Sequence, residues 1–307
     1  MSTLTGIPEG IPNSKTEARA THMANGIDLI NWCNVDPRVY RRDYLLSLKP
    51  VIVQGALDHW PALNKWTPEF FQERYGSLDV TVDSKAWKLG QLIDRILAST
   101  PENPAPYLRN QLVAEWPPEL SSDISPMPDC TRPNYLESRL FPTSETYIEA
   151  FIGGAGAKFP ILHYDNWHTH AFLMQLNGKK EYIVFSPDQA RFLHPLDGTQ
   201  INNSAIPDLE NVDLSEFPLF AQAQGIRFEL HPGETLFVPG GWWHTARILS
   251  TSITISINGV NAGNWSQYRR EYCQRFRRYI APNRRLKVAL IGPYIYVLGL
   301  FLSMFRD

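Results

Sequence analysis

The chain has 307 residues, of which 43% are hydrophobic and 20% charged, with a formal net charge of -2. This balance excludes global disorder and any whole-chain attraction to nucleic acid, so no nucleic-acid partner is expected, and the length suits one elaborated domain. Cys33, Cys130 and Cys273 stand far apart with no CxxC pair, which excludes a zinc knuckle or a disulfide framework and fits a reducing cytoplasm.

Residues 1–25 are mostly polar, without the charged start and apolar run of a signal peptide, and read as a flexible lead-in. DPRVYRRDYLLSL, from Asp36, has helical apolar spacing, and KPVIVQGA, from Lys49, is a short β-branched strand. WTPEFFQERYG predicts a capped helix with Thr67 at the N-cap, Pro68 at the first helical position and Gly76 beyond the end. The stretch 99–142 is rich in Pro, Ser and Asp and reads as an extended connection over a barrel; Tyr107 lies inside it. From Tyr147 the pattern turns to short apolar runs punctuated by Gly and Pro, including YIEAFIGG, FPILHYD, AFLMQL, KEYIVFSP, IRFELHPGETLFVPGG and STSITISING. Such spacing predicts a β-sandwich or barrel. The last segment, 265–307, is helical by composition: WSQYRREYCQRFRRYIAPNRRLK carries eight basic residues and one acidic, and an uncharged run follows over 288–305. That run is at the lower edge of membrane-spanning length and is interrupted by Gly292, Pro293 and Gly299, so it does not predict a transmembrane helix.

The chemistry concentrates on His163 and Asp165, in HYD, and on His244, in GGWWHTAR. On an extended strand, residues i and i+2 face the same side, so His163 and Asp165 share one face while Tyr164 turns away. His244 follows the turn in ETLFVPGG, at the start of a later strand that an antiparallel barrel brings beside the first pair. Two imidazoles and a carboxylate leave three coordination positions open. That vacancy suits non-haem Fe(II) with a bidentate 2-oxo acid and dioxygen, while catalytic zinc with three protein ligands stays open as an alternative.

These blocks resemble the JmjC-type, cupin-like Fe(II)/2-oxoglutarate-dependent oxygenases, similar to the factor-inhibiting-HIF class of asparaginyl hydroxylases. KPVIVQGALDHWPALNKWTPEFFQERYG resembles the family's entry segment; HYDNWHTHAFLMQLNGKKEYIVFSP and GETLFVPGGWWHTARILSTSITISIN resemble its two metal-bearing blocks. The resemblance implies a mainly β fold, a double-stranded β-helix (jelly-roll, cupin) barrel with flanking N- and C-terminal helices, over 26–264. It implies Fe(II) held by His163, Asp165 and His244, with 2-oxoglutarate and O2 as cosubstrates. It further implies that Lys180, with Lys179 as its alternative, pairs with the distal carboxylate of 2-oxoglutarate, that Tyr107 reaches the same carboxylate, and that Asn258 lines the pocket. Pro160 departs from the pattern, since many relatives carry a hydroxyl residue there. Two added residues between Asp165 and Gly178 leave His168, Thr169 and His170 as candidates for the pocket lining, though not as ligands. Trp167, Trp242 and Trp243 would either dry the pocket or fill the core.

The expected activity is hydroxylation of an unactivated C–H bond in a protein side chain or small molecule, with release of succinate and CO2. A lipid substrate stays open, as does demethylation. The alternative is a non-catalytic, metal-binding cupin-like sensor. For the basic helix and apolar tail two readings stand: a homodimer interface through the C-terminal helices, or peripheral membrane contact through 265–305.

Overall fold

The computed structural model describes residues 22–24, 26–140, 147–279 and 285–306. Most of the expected lead-in lies outside them; its end, His22–Ala24, forms β1. The order continues β2 (Ile27–Asn31), α1 (Pro37–Tyr40), β3 (Val51–Gln54), α2 (Ala62–Lys65), α3 (Pro68–Tyr75), β4 (Asp79–Val82), β5 (Lys85–Lys88), α4 (Leu89–Leu97), β6 (Leu108–Leu112) and α5 (Pro118–Asp123). Then come β7 (Ile148–Gly153), β8 (His170–Asn177), β9 (Lys180–Phe185), β10 (Ile226–Leu230), β11 (Glu234–Val238), β12 (Trp243–Ile248), β13 (Ser252–Gly259), α6 (Trp265–Tyr279) and α7 (Arg285–Arg306).

Local chemistry starts the helices where expected. Asp36 accepts from the Arg38 backbone N–H with Pro37 at the first helical position, and α1 runs on into a π-helical turn over Arg41–Leu45. Thr67 Oγ1 accepts from Phe70 N at 3.1 Å, with Pro68 next to the cap. The region 79–97 holds a hairpin and a helix that the sequence reading passed over. Their signals are the turn at Asp83 and Ser84, both with positive φ, and the buried stripe Leu89, Leu92, Ile93 and Ile96 on α4. The stretch 99–142 is more regular than expected: it contributes α5 and the edge strand β6. A bulge between Leu108 and Gln111 interrupts the pairing of β6 with β7, which hides the strand's alternation in the sequence.

Two sheets face each other. The major sheet runs β1-β2-β3-β11-β8-β13-β7-β6 and the minor one β10-β9-β12, while β4 and β5 form a separate hairpin. From β8 onward the chain passes back and forth between the sheets, with β9 and β10 in the minor one, β11 in the major, β12 in the minor and β13 in the major, so the fold is the jelly-roll barrel that the resemblance implied. Strand β13 explains the layering: Ile253, Ile255 and Ile257 point outward onto the N-terminal helices, packing in one core with Phe71, Leu92, Ile93 and Ile96. Each such fully buried side chain stabilises the fold by about 1.5–3 kcal/mol. The intervening Thr254, Ser256 and Asn258 line the barrel cleft instead. At the far end of the barrel Ile52, Leu236 and Val238 meet Tyr182, Val184, Phe228 and Leu230 of the minor sheet, a plug of apolar side chains that closes it.

The C-terminal helices pack on the barrel's flank, where Tyr268, Tyr272, Ile295, Leu298 and Leu302 bury themselves against Tyr135, Leu136 and Val260. The other side of α7 exposes Leu290, Tyr294, Val297, Phe301 and Met304, spaced alternately by four and three residues. Among the described residues no helix is long and apolar enough to cross a membrane.

Candidate metal centre and cosubstrate cleft

A two-bond backbone bridge brings the metal residues together: His163 N donates to His244 O at 3.2 Å and His244 N donates to His163 O at 2.6 Å. The imidazole centroids are 4.5 Å apart, and His163 Nε2 lies 3.9 Å from Asp165 Oδ1. One donor atom from each of the three residues falls within 4.8 Å of the others. The HYD segment is an extended connector rather than a ladder strand, since Asp165 opens a single turn over Asn166–His168. The i, i+2 rule still puts both donors on one side, because it needs only extended backbone. Gly240, just before the His244 strand, permits the close approach: a Cβ there would stand 2.1 Å from the His168 carbonyl oxygen.

Tautomer and charge suit a divalent cation. His163 Nδ1 lies 3.1 Å from Ile161 O and His244 Nδ1 lies 3.1 Å from Trp242 O. A carbonyl only accepts, so each Nδ1 carries the proton and each Nε2 lone pair is free to ligate. Burial pushes both imidazoles down to about 4, and for His163 the neighbouring His244 adds to it, so both are neutral at physiological pH. Burial also raises the Asp165 carboxyl above its ordinary value. A carboxylate that is costly to ionise alone, beside two neutral imidazoles, is the donor set that a metal ion completes.

The same cleft runs from the triad to Lys180. Lys180 is 2% exposed, and its ammonium donates to Tyr107 Oη at 2.9 Å. The Tyr107 and Phe151 rings flank it at 5.3 and 5.6 Å. Burial lowers its pKa to about 7, and no carboxylate among the described residues pairs with it. Lys179 is exposed, which settles the choice between the two lysines for the inward position. Gly178 sets that register: its φ is +65°, and a Cβ would stand 1.9 Å from the Thr251 carbonyl oxygen, so the turn from β8 to β9 accepts only glycine.

The structure also places Asn258 in the cleft, with its amide donating to Thr169 Oγ1 at 3.0 Å and His170 O at 3.3 Å. His170 points away from the cleft: Nδ1 accepts from Gly240 N at 3.0 Å and Nε2 lies 3.2 Å from Asn261 Oδ1, so both ring nitrogens are engaged in the core. His168 turns outward too, its Nδ1 lying 2.7 Å from Glu271 of α6. Thr169 spends its hydroxyl proton on Asn166 O. Trp167 packs against Tyr268 and Tyr272, Trp242 donates to Leu48 O, and Trp243 is buried against Tyr164; all three serve the core rather than the cleft. Pro160 lines a separate outer groove with Lys158 and Arg247, which leaves Tyr107 to supply a hydroxyl at the Lys180 end. The sequence reading missed the cleft residues Asn110, Glu149, Phe151, Thr254 and Ser256. For four of them the signal is the period-two alternation within YIEAFIGG and SITISING; Asn110 has none, because it sits in the bulge.

Comparison with known proteins places the chain in a family. A family model described as a cupin-like domain matches residues 37–259. The chain is 32% identical to lysine-specific demethylase 8 of Xenopus tropicalis over 228 residues, which cover 71% of this chain and 49% of that protein. It is 29% identical to arginine-specific demethylase JMJ22 of Arabidopsis thaliana, over 70% of this chain and 43% of that protein. Against human tRNA wybutosine-synthesizing protein 5 the identity is 25%, over 68% and 70% of the two chains. The chain thus spans about half the length of the curated demethylases it matches. With the matched segment running from α1 through the last barrel strand, the chain belongs to the cupin-like domain family, among relatives of the JmjC type.

Proposed function

We propose that this chain is an Fe(II)- and 2-oxoglutarate-dependent oxygenase that hydroxylates an unactivated C–H bond and releases succinate and CO2. The observation that carries the reading is the buried Lys180 ammonium, which no carboxylate among the described residues neutralises, at the closed end of the cleft that holds the His163, Asp165 and His244 donors. A cation of this kind is expensive to bury without an anion, and an anionic cosubstrate that reaches from Lys180 to the metal supplies one. A protein that only held a metal would have no use for it.

When bound, Fe(II) with the 2-oxo acid supplies the oxidising power that no protein side chain has. The chain's own residues do the rest. His163, Asp165 and His244 would hold the metal, and Lys180 and Tyr107 would hold the distal carboxylate of the cosubstrate. Asn258, tied to Thr169 and the His170 carbonyl, keeps the wall beside the metal in register. Phe151, with the apolar plug behind Lys180, restricts water at the closed end. The relatives named for lysine- and arginine-specific demethylation support a protein side chain as the substrate class.

The test is oxygen-dependent succinate formation from 2-oxoglutarate by the Fe(II)-loaded protein, alongside the anaerobic visible charge-transfer band of the Fe(II)–2-oxoglutarate pair. Tyr107→Phe is expected to leave the band in place but to weaken the cosubstrate about three- to tenfold, the worth of one hydrogen bond. Metal-replete, folded protein that gives neither band nor succinate would return the chain to the sensor reading.

A further inference from the structure

The cleft carries a second carboxylate, Glu149, that neither metal binding nor cosubstrate capture uses. It lies on β7 opposite Ser256 of β13, on the same face as Phe151. Successive same-face positions on a strand are about 7 Å apart. Phe151 sits beneath the Lys180 ammonium, so Glu149 stands one step further along the cleft, towards Asp165. The cleft is therefore cationic at its closed end and carries two carboxyl groups at the triad end.

Glu149 is held in place by design of the neighbouring strand. At the bulge in β6, Asn110 adopts a left-handed backbone (φ 54°), and its amide Nδ2 donates to Glu149 Oε2 at 3.2 Å. Bulges beside active sites re-aim side chains in this way. One carboxylate oxygen is thus anchored and the other is left to accept. Among the described residues no Lys, Arg or His pairs with Glu149, although it is half-buried, and burial with the nearby Asp165 holds its carboxyl above the ordinary range. A second carboxylate here can only repel a dianionic cosubstrate, so its favourable partner is something else that enters the cleft.

Resting on the oxygenase reading for the identity of the site, we propose that Glu149, oriented by Asn110, receives a cationic group of the substrate, an ammonium or a guanidinium, and so selects a basic side chain for the metal-facing end of the cleft. A basic side chain that reaches past Glu149 places its aliphatic carbons between that carboxylate and the metal, which is where a C–H bond must lie to be oxidised. Glutamine at this position can still accept from Asn110 and preserves the shape of the wall, so Glu149→Gln removes the charge alone.

The experiment uses the Zn(II)-loaded protein with 2-oxoglutarate and reads binding of four probes by saturation-transfer NMR: the N-acetyl amides of arginine, lysine, citrulline and norleucine. Wild type is expected to bind the arginine or the lysine amide at least about tenfold more tightly than its neutral counterpart, as a charge-assisted hydrogen bond requires. Glu149→Gln is expected to erase that preference without weakening 2-oxoglutarate binding, since it removes only a like charge from the anion's surroundings. The arginine and lysine arms separate a guanidinium from an ammonium ligand. A variant that keeps the preference, or a wild type that shows none, overturns the assignment. The Fe(II) charge-transfer band, measured separately, judges the oxygenase reading: a band without cation preference sinks Glu149's role alone, whereas cation preference without a band keeps Glu149 as a cation site and sinks the oxygenase.

Discussion

Replacing Asp165 with alanine is expected to abolish Fe(II)-dependent succinate formation and to weaken Fe(II) retention by about a hundredfold or more. Loss of groups that merely orient metal ligands already costs about 10–100-fold, and Asp165 supplies the only anionic donor of the triad. The same substitution should leave the melting temperature of chelator-treated protein unchanged or raised, because burial makes the metal-free carboxylate unfavourable in the fold. This opposition separates a ligand from a structural acid: a variant that loses iron and also melts early would count against the assignment. The pH dependence should follow the histidines. Their folded values of about 4 lie below the ordinary 6.5, so the unfolded chain gains protons that the folded one refuses. Stability of the chelated protein is then constant above pH 6.5 and falls as the pH drops from 6.5 to 4, by on the order of 3 kcal/mol for each imidazole. Thermal melts at pH 7 and pH 5 would measure it, and His244→Ala should flatten the slope.

Lys180→Met is expected to cut 2-oxoglutarate affinity by about ten- to a hundredfold or more, since a buried charge-assisted contact is worth about 1.5–3 kcal/mol. Without cosubstrate, the methionine protein should be the more stable one. The folded Lys180 ammonium titrates near 7 against an ordinary 10.5, so the unfolded chain holds its proton over that whole interval. Wild-type stability therefore drops as the pH falls from 10.5 to 7, by up to roughly 5 kcal/mol, and the variant should lack that drop. Saturating 2-oxoglutarate should reverse the order of the two melting temperatures at neutral pH, because ligand stabilises only the protein that binds it. A methionine variant that binds 2-oxoglutarate as tightly as wild type would remove Lys180 from the site.

The barrel and its candidate metal site were legible because each rests on short-range rules. Alternation in SITISING assigns one face to the helical layer and the other to the cleft, and HxD on extended backbone needs no knowledge of the sheet around it. Glycine at 178 announces the turn that sends Lys180, not Lys179, inward. What escaped depends on contacts between distant segments. Asn110 reaches Glu149 only because a bulge turns it, and nothing in LRNQL marks an interrupted ladder. His168 and His170 sit among polar and aromatic neighbours that suit a pocket rim as well as a core. Their partners, Glu271 and Asn261, are supplied by the region after the last strand, and only the folded chain says which way they turn.

That dependence has a practical side. His168 meets Glu271 on α6, and Asn264 donates to the His168 carbonyl at 2.8 Å and to Gly259 O at 3.1 Å, so the turn leaving Asp165 is braced from beyond residue 259, where the family match stops. Grafting the matched segment alone onto another scaffold would transplant all three candidate metal ligands without the strut that keeps one of them aimed. For anyone redesigning this protein, α6 belongs with the blade rather than the handle.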